Sequence, residues 1–152
     1  MDYFISHASE DKDDFVRQLA DYMILNGATT FYDEYSIKLG DSLFDSINDG
    51  IKNSKNCIII LSKYFFQKKW TMAELRAIVN KHIEGEIILI PIYHNVTFQE
   101  VKRDYPMLAD LIGASSEIGY EKVAEKIFQA TGHTPELAYM KIPPIEKSKK
   151  KD

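Results

Sequence analysis

The chain has 152 residues, 45% of them hydrophobic and 28% charged, the size and balance of one ordinary globular domain. Acids outnumber bases 23 to 19, a net charge of −4, so the chain lacks the basic character that general nucleic-acid binding requires. A single cysteine, Cys57, excludes an internal disulfide, no apolar run nears the ~20 residues of a membrane helix, and no basic-then-apolar leader opens the chain, which together predict a cytoplasmic protein without a membrane partner.

In chain order, Tyr3-Phe4-Ile5-Ser6 reads as a first strand. Ser9 to Asn26 places Phe15, Val16, Leu19, Tyr22 and Met23 on one helical face, with Ser9 as the expected N-cap and Gly27 as the stop. Ala28 to Tyr32 is a second strand, Asp33 to Asp41 a loop containing Gly40, and Ser42 to Asn53 a helix through Leu43, Ile47 and Ile51. The run from Cys57 to Leu61 and the run from Glu86 to Ile92 are apolar without alternation, as in parallel strands covered on both faces. Between them Thr71 to Ile83 has helical spacing. Thr97 and Glu100 form a capping-box pair, Ala114 to Ile118 reads as an edge strand, and Tyr120 to Thr131 is a last helix stopped by Gly132. Five alternations of strand and helix predict a flavodoxin-like α/β sandwich with a five-stranded parallel sheet in the order 2-1-3-4-5. Ligands in such sheets bind where the order reverses, here between the chain after Ser6 and the chain after Ser62.

The common chemistries of this architecture are missing. The seven glycines match neither a dinucleotide fingerprint nor a phosphate loop, and no Gly-x-Ser-x-Gly elbow exists. The third strand ends Leu61-Ser62-Lys63, without the aspartate of a phosphoacceptor. The four histidines share no metal-ligand spacing with one another or with Cys57, so no metal site is expected. What remains is Trp70-Thr71-Met72-Ala73-Glu74-Leu75, which opens the helix after the third strand. Two readings compete for it. Thr71 and Glu74 have capping-box spacing, so Glu74 could do no more than bond back to the Thr71 amide. Alternatively the carboxylate is free for chemistry.

Three boxes in order resemble the Toll/interleukin receptor (TIR) domain of bacterial type: Phe4-Ile5-Ser6-His7-Ala8-Ser9-Glu10-Asp11, then Phe31-Tyr32-Asp33 with Leu39-Gly40-Asp41, then Ile58-Ile59-Ile60-Leu61-Ser62 with Trp70 and Glu74-Leu75. The resemblance covers roughly residues 3–131. It assigns a TIR domain to residues 1–132 and leaves residues 133–152, with their prolines and lysines, as a linker or tail. It implies an NAD+ glycohydrolase or cyclase, giving nicotinamide and ADP-ribose or a cyclic ADP-ribose, activated by self-assembly in antiphage defence signalling. Glu74 then falls on the catalytic position, and Ser6, His7, Asp33, Leu39, Gly40 and Trp70 are the expected substrate-binding residues. No cofactor is implied, NAD+ being the substrate. The implied partners are other TIR domains and a fused or separate sensor domain, the chain then being an amino-terminal catalytic module of a longer protein. The alternative within the family is a non-catalytic scaffold acting through TIR–TIR contacts. The first loop lacks the arginine of some members, having Ala8 and Ser9 instead, which leaves the phosphate contacts open.

Overall fold

The computed structural model describes residues 2–136. The proline- and lysine-containing segment 137–152 lies outside the described residues.

Among the described residues six strands form one parallel sheet: β1 (Asp2–Ala8), β2 (Thr29–Phe31), β3 (Ser36–Ile37), β4 (Asn56–Leu61), β5 (Ile88–Tyr93) and β6 (Ala114–Ser115). The order is β2-β1-β4-β5-β6, with β3 also paired to β1. Leaving β3 aside, this is the expected 2-1-3-4-5 arrangement. The sixth strand corrects the reading of residues 33–41 as loop throughout. A 3-10 turn over Asp33–Tyr35 buries Tyr35, and Ser36–Ile37 then pair with His7–Ala8 while Ile37 enters the core.

Among the described residues seven α-helices surround the sheet: α1 (Arg17–Leu25), α2 (Leu43–Ile51), α3 (Lys63–Gln67), α4 (Met72–Ile83), α5 (Phe98–Asp104), α6 (Pro106–Ala109) and α7 (Tyr120–Thr131). Side chains alternate across the sheet, so two cores form. Phe4, Cys57, Ile59 and Leu61 pack with Leu43 and Ile47 of α2 and Leu75 and Ile78 of α4. Tyr3, Ile5, Ile58 and Ile60 pack with Leu19 and Met23 of α1 and Val123 and Ile127 of α7. Cover on both faces is why the central runs are continuously apolar.

The start of the first helix differs from expectation. Pairing with β3 carries β1 two residues past Ser6, to Ala8. A 3-10 turn over Ser9–Asp11 and a π-helical turn over Lys12–Val16 then precede α1. Ser9 caps nothing; its hydroxyl donates to the Glu10 carboxylate instead. The Thr97–Glu100 capping box is complete, and α7 ends at Gly132 with φ +77°. After Gly132 the chain folds back: the Glu136 N–H donates to the Asn26 carbonyl at 2.9 Å, and the His133 ring packs on Phe128. No described helix is long and apolar enough to cross a membrane.

Candidate functional site

Glu74 sits in the first turn of α4, half-buried. Thr71 is extended and caps the helix, its hydroxyl accepting the Glu74 N–H at 3.0 Å. The bond expected in return is replaced by another. Glu74 Oε2 accepts the Leu43 N–H at 3.2 Å, at the start of α2 and 31 residues away in sequence. The contrast with Glu100 is direct, since that carboxylate does fold back on its own cap, accepting the Thr97 N–H at 2.7 Å. Trp70 is brought beside the start of α4 by a tight reversal at Lys69, whose φ is +62°. The indole is half-buried and packs at 5.6 Å on the Phe65 ring, and its Nε1 is buried with no hydrogen-bond partner among the described residues.

The connecting loop leads straight into Leu43. Leu39 is 75% exposed, and Gly40 holds φ +94° with open space around it. Asp41 closes the loop by accepting the Lys38 N–H at 2.9 Å. Glu74 and the loop of Leu39 and Gly40 are therefore joined through the amino end of α2.

Ser6, expected at the end of the first strand, and His7, expected just beyond it, are both strand residues and fully buried. By alternation Ser6 faces the layer of α2 and α4, and His7 the layer of α1. Neither Ser6 Oγ nor His7 Nε2 has a partner among the described residues, whereas His7 Nδ1 lies 2.9 Å from the Ile5 carbonyl, the N–H donating. Burial holds His7 below the ordinary imidazole value of 6.5, opposed by the Ile5 carbonyl bond. A buried neutral histidine contributes stability above that value and loses it as pH falls below 6.5 towards the depressed folded value. Urea unfolding at pH 7.5 and 5.5 is expected to show a smaller acid-side loss for His7→Gln than for the wild type; equal losses would place the acid sensitivity elsewhere. Asp33 is exposed and pairs with Lys12, which projects from the π-helical turn and holds that carboxyl below its usual range. Lys12 thus brings a cation to Asp33, and Arg17 adds a second positive charge nearby.

The crevice expected at the switch point is lined by residues that sequence reasoning did not single out. A cavity of about 420 Å³ opens at the switch point after Ser62, with Asp11, Asp14, Ser62 and His94 in its wall; its lining does not include Glu74. Ser62 donates to the Asp11 carboxylate at 2.5 Å, and burial pushes that carboxyl up. His94 spans Asp14 at 2.6 Å and Ser116 at 2.8 Å and stacks on Phe15. These partners lie 51, 80 and 22 residues apart, so no local spacing announces them. Among the described residues no group of three or more histidines, cysteines or acids is placed to hold a metal ion.

A flavodoxin-like parallel sheet, with a tryptophan and a helix-starting glutamate after its central strand, defines the class of domain. The family model described as TIR domain matches residues 4–127, and the chain belongs to that family. It is 41% identical over 128 residues to the NAD(+) hydrolase TcpA of Theionarchaea archaeon, covering 84% of this chain and 39% of that protein. It is 44% identical over 117 residues to the 2' cyclic ADP-D-ribose synthase BtTIR of Bacteroides thetaiotaomicron, covering 77% and 41%. The chain thus spans less than half the length of these two curated relatives. Among solved structures, the TIR domains of the activated Roq1 resistosome, which directly recognizes the pathogen effector XopQ, share the fold with a TM-score of 0.56 at 23% identity, covering 86% of this chain and 96% of that one.

Proposed function

We propose that this domain cleaves the nicotinamide–ribose bond of NAD+, releasing nicotinamide and ADP-ribose or a cyclic ADP-ribose. The observation that carries this reading is the Glu74 carboxylate, which follows Trp70 by four residues at the start of α4 and is not consumed by its own helix cap. Relatives named as NAD(+) hydrolase and 2' cyclic ADP-D-ribose synthase support it.

The chemistry asks little of an acid. When the C1′–N bond breaks, its electron pair leaves with the nicotinamide nitrogen, so the leaving group departs neutral and unprotonated. Positive charge develops on the ribose, and a carboxylate held beside C1′ lowers the energy of that state. Water then bonds to C1′ and releases its proton, or a hydroxyl of the same ADP-ribose does so and closes a ring. Trp70 is the proposed wall for nicotinamide and ribose, and Leu39 and Gly40 the proposed opposite rim. Asp33 is the proposed edge of the site, and its ion-pair partner Lys12 is a candidate for the diphosphate. Ser6 and His7 lie beneath the surface, so their proposed contribution is to the floor.

Self-assembly with other TIR domains, coupling to a sensor and a role in antiphage defence belong to the same proposal. The exposed Leu39 supports the first. Nicotinamide release should be measured for the domain tethered densely to beads, wild type against Glu74→Ala. Turnover in the wild type alone is expected. Equal turnover in both would remove Glu74 from the mechanism, and none in either would favour the non-catalytic scaffold.

A further inference from the structure

We infer that Leu43, through its backbone N–H, is the positioning residue for Glu74 and ties that carboxylate to the connecting loop. This rests on the proposed NAD+ cleavage. The first N–H groups of a helix have no partner inside it. In α2 the Ser42 hydroxyl accepts one of them, from Asp45 at 3.1 Å. The Leu43 N–H is taken by Glu74 Oε2 at 3.2 Å, which leaves Oε1 for the ribose. A glutamate side chain has several rotatable bonds, and a half-buried one without a partner samples many rotamers. The Leu43 side chain is fully buried among the core residues, so its N–H is a fixed donor. It fixes the carboxylate in turn, as the placement of a reacting group demands.

The same bond makes the carboxylate sensitive to the loop. Residues 38–41 form a closed turn, with the Asp41 N–H donating to the Lys38 carbonyl at 3.0 Å and the Asp41 carboxylate accepting in return. Ser42 is the single residue between that turn and Leu43. A displacement of the exposed Leu39 is therefore passed along a short, hydrogen-bonded path to Oε2.

A backbone donor can be deleted here with little harm to the helix. Leu43 occupies the first helical position, where proline is tolerated, and Ser42 is already extended at φ −89° and ψ 119°, as a residue before proline must be. Leu43→Ala removes the same side chain but keeps the N–H. The comparison is kcat and KM for NAD+ in the full 152-residue chain. Leu43→Pro is expected to show a kcat about tenfold below Leu43→Ala, the scale of one hydrogen bond to a charged group, with KM within about twofold. Equal kcat values, or a faster Leu43→Pro, would overturn the inference, the latter because it would make the contact inhibitory. Should Leu43→Pro not fold, the Leu43 amide proton resonance decides: it should move upfield in Glu74→Ala, and an unmoved resonance overturns the contact. Undiminished turnover in Glu74→Ala would instead defeat the proposed function, leaving the resonance as the measure of the contact itself.

Discussion

Glu74→Gln is expected to slow NAD+ cleavage by about 10²–10³-fold, the range seen when a preorganised electrostatic stabiliser is removed. Glutamine has the same length, and its carbonyl oxygen can still accept the Leu43 N–H. The Thr71 cap uses the backbone N–H of residue 74 and is untouched. Only the charge proposed to face the developing ribosyl cation goes. Stability should change little, because a carboxylate at the α2 amino end is worth about 0.3–1 kcal/mol. Nicotinamide release alongside a thermal melt checks both parts. A variant that melts like the wild type and keeps turnover within threefold of it would show that charge at this position is not used.

The largest loss of stability should come from Gly113→Ala. A Cβ at residue 113 would stand 2.0 Å from the Pro91 carbonyl oxygen and 2.8 Å from the Pro91 ring. The first obstacle is backbone, so no rotamer change relieves it. Retreat has its own cost, because it would pull Ala114 and Ser115 away from Ile92 and Tyr93, the pairs that hold β6 to β5. Overpacking of this kind costs about 1–3 kcal/mol, and the upper end is expected here. Urea unfolding measures it. Gly40→Ala is the control: open space surrounds that position, so only the φ of +94° is strained and the loss should stay near 1 kcal/mol. Equal losses for the two variants would mean that β6 gives way freely.

The strands and the long helices were legible because their burial leaves a period. Cys57–Leu61 is apolar throughout since both faces are covered, and Tyr120–Thr131 shows a clean helical stripe ending in a left-handed glycine. Helices α3 and α6, of five and four residues, are too short to display a period, and neither was expected. The expected first strand ends at Ser6, which hid the fact that His7 and Ala8 continue it; a two-residue partner 29 positions further on extends it. The site divided in the same way. The placing of Trp70 and Glu74 at the start of α4 was readable from their order after the third strand. The acceptor role of Glu74 towards Leu43 was not, because capping-box spacing is equally satisfied when only half of the box forms.

The docking of residues 133–136 has a consequence for handling the molecule. The Tyr3 and His133 rings meet at 6.4 Å, and Glu136 is bonded to the residue that ends α1, so both ends of the described chain lie at the amino ends of the strands. Glu74 and the connecting loop occupy the opposite pole. A group attached at residue 136 itself would thus sit at the pole away from Glu74.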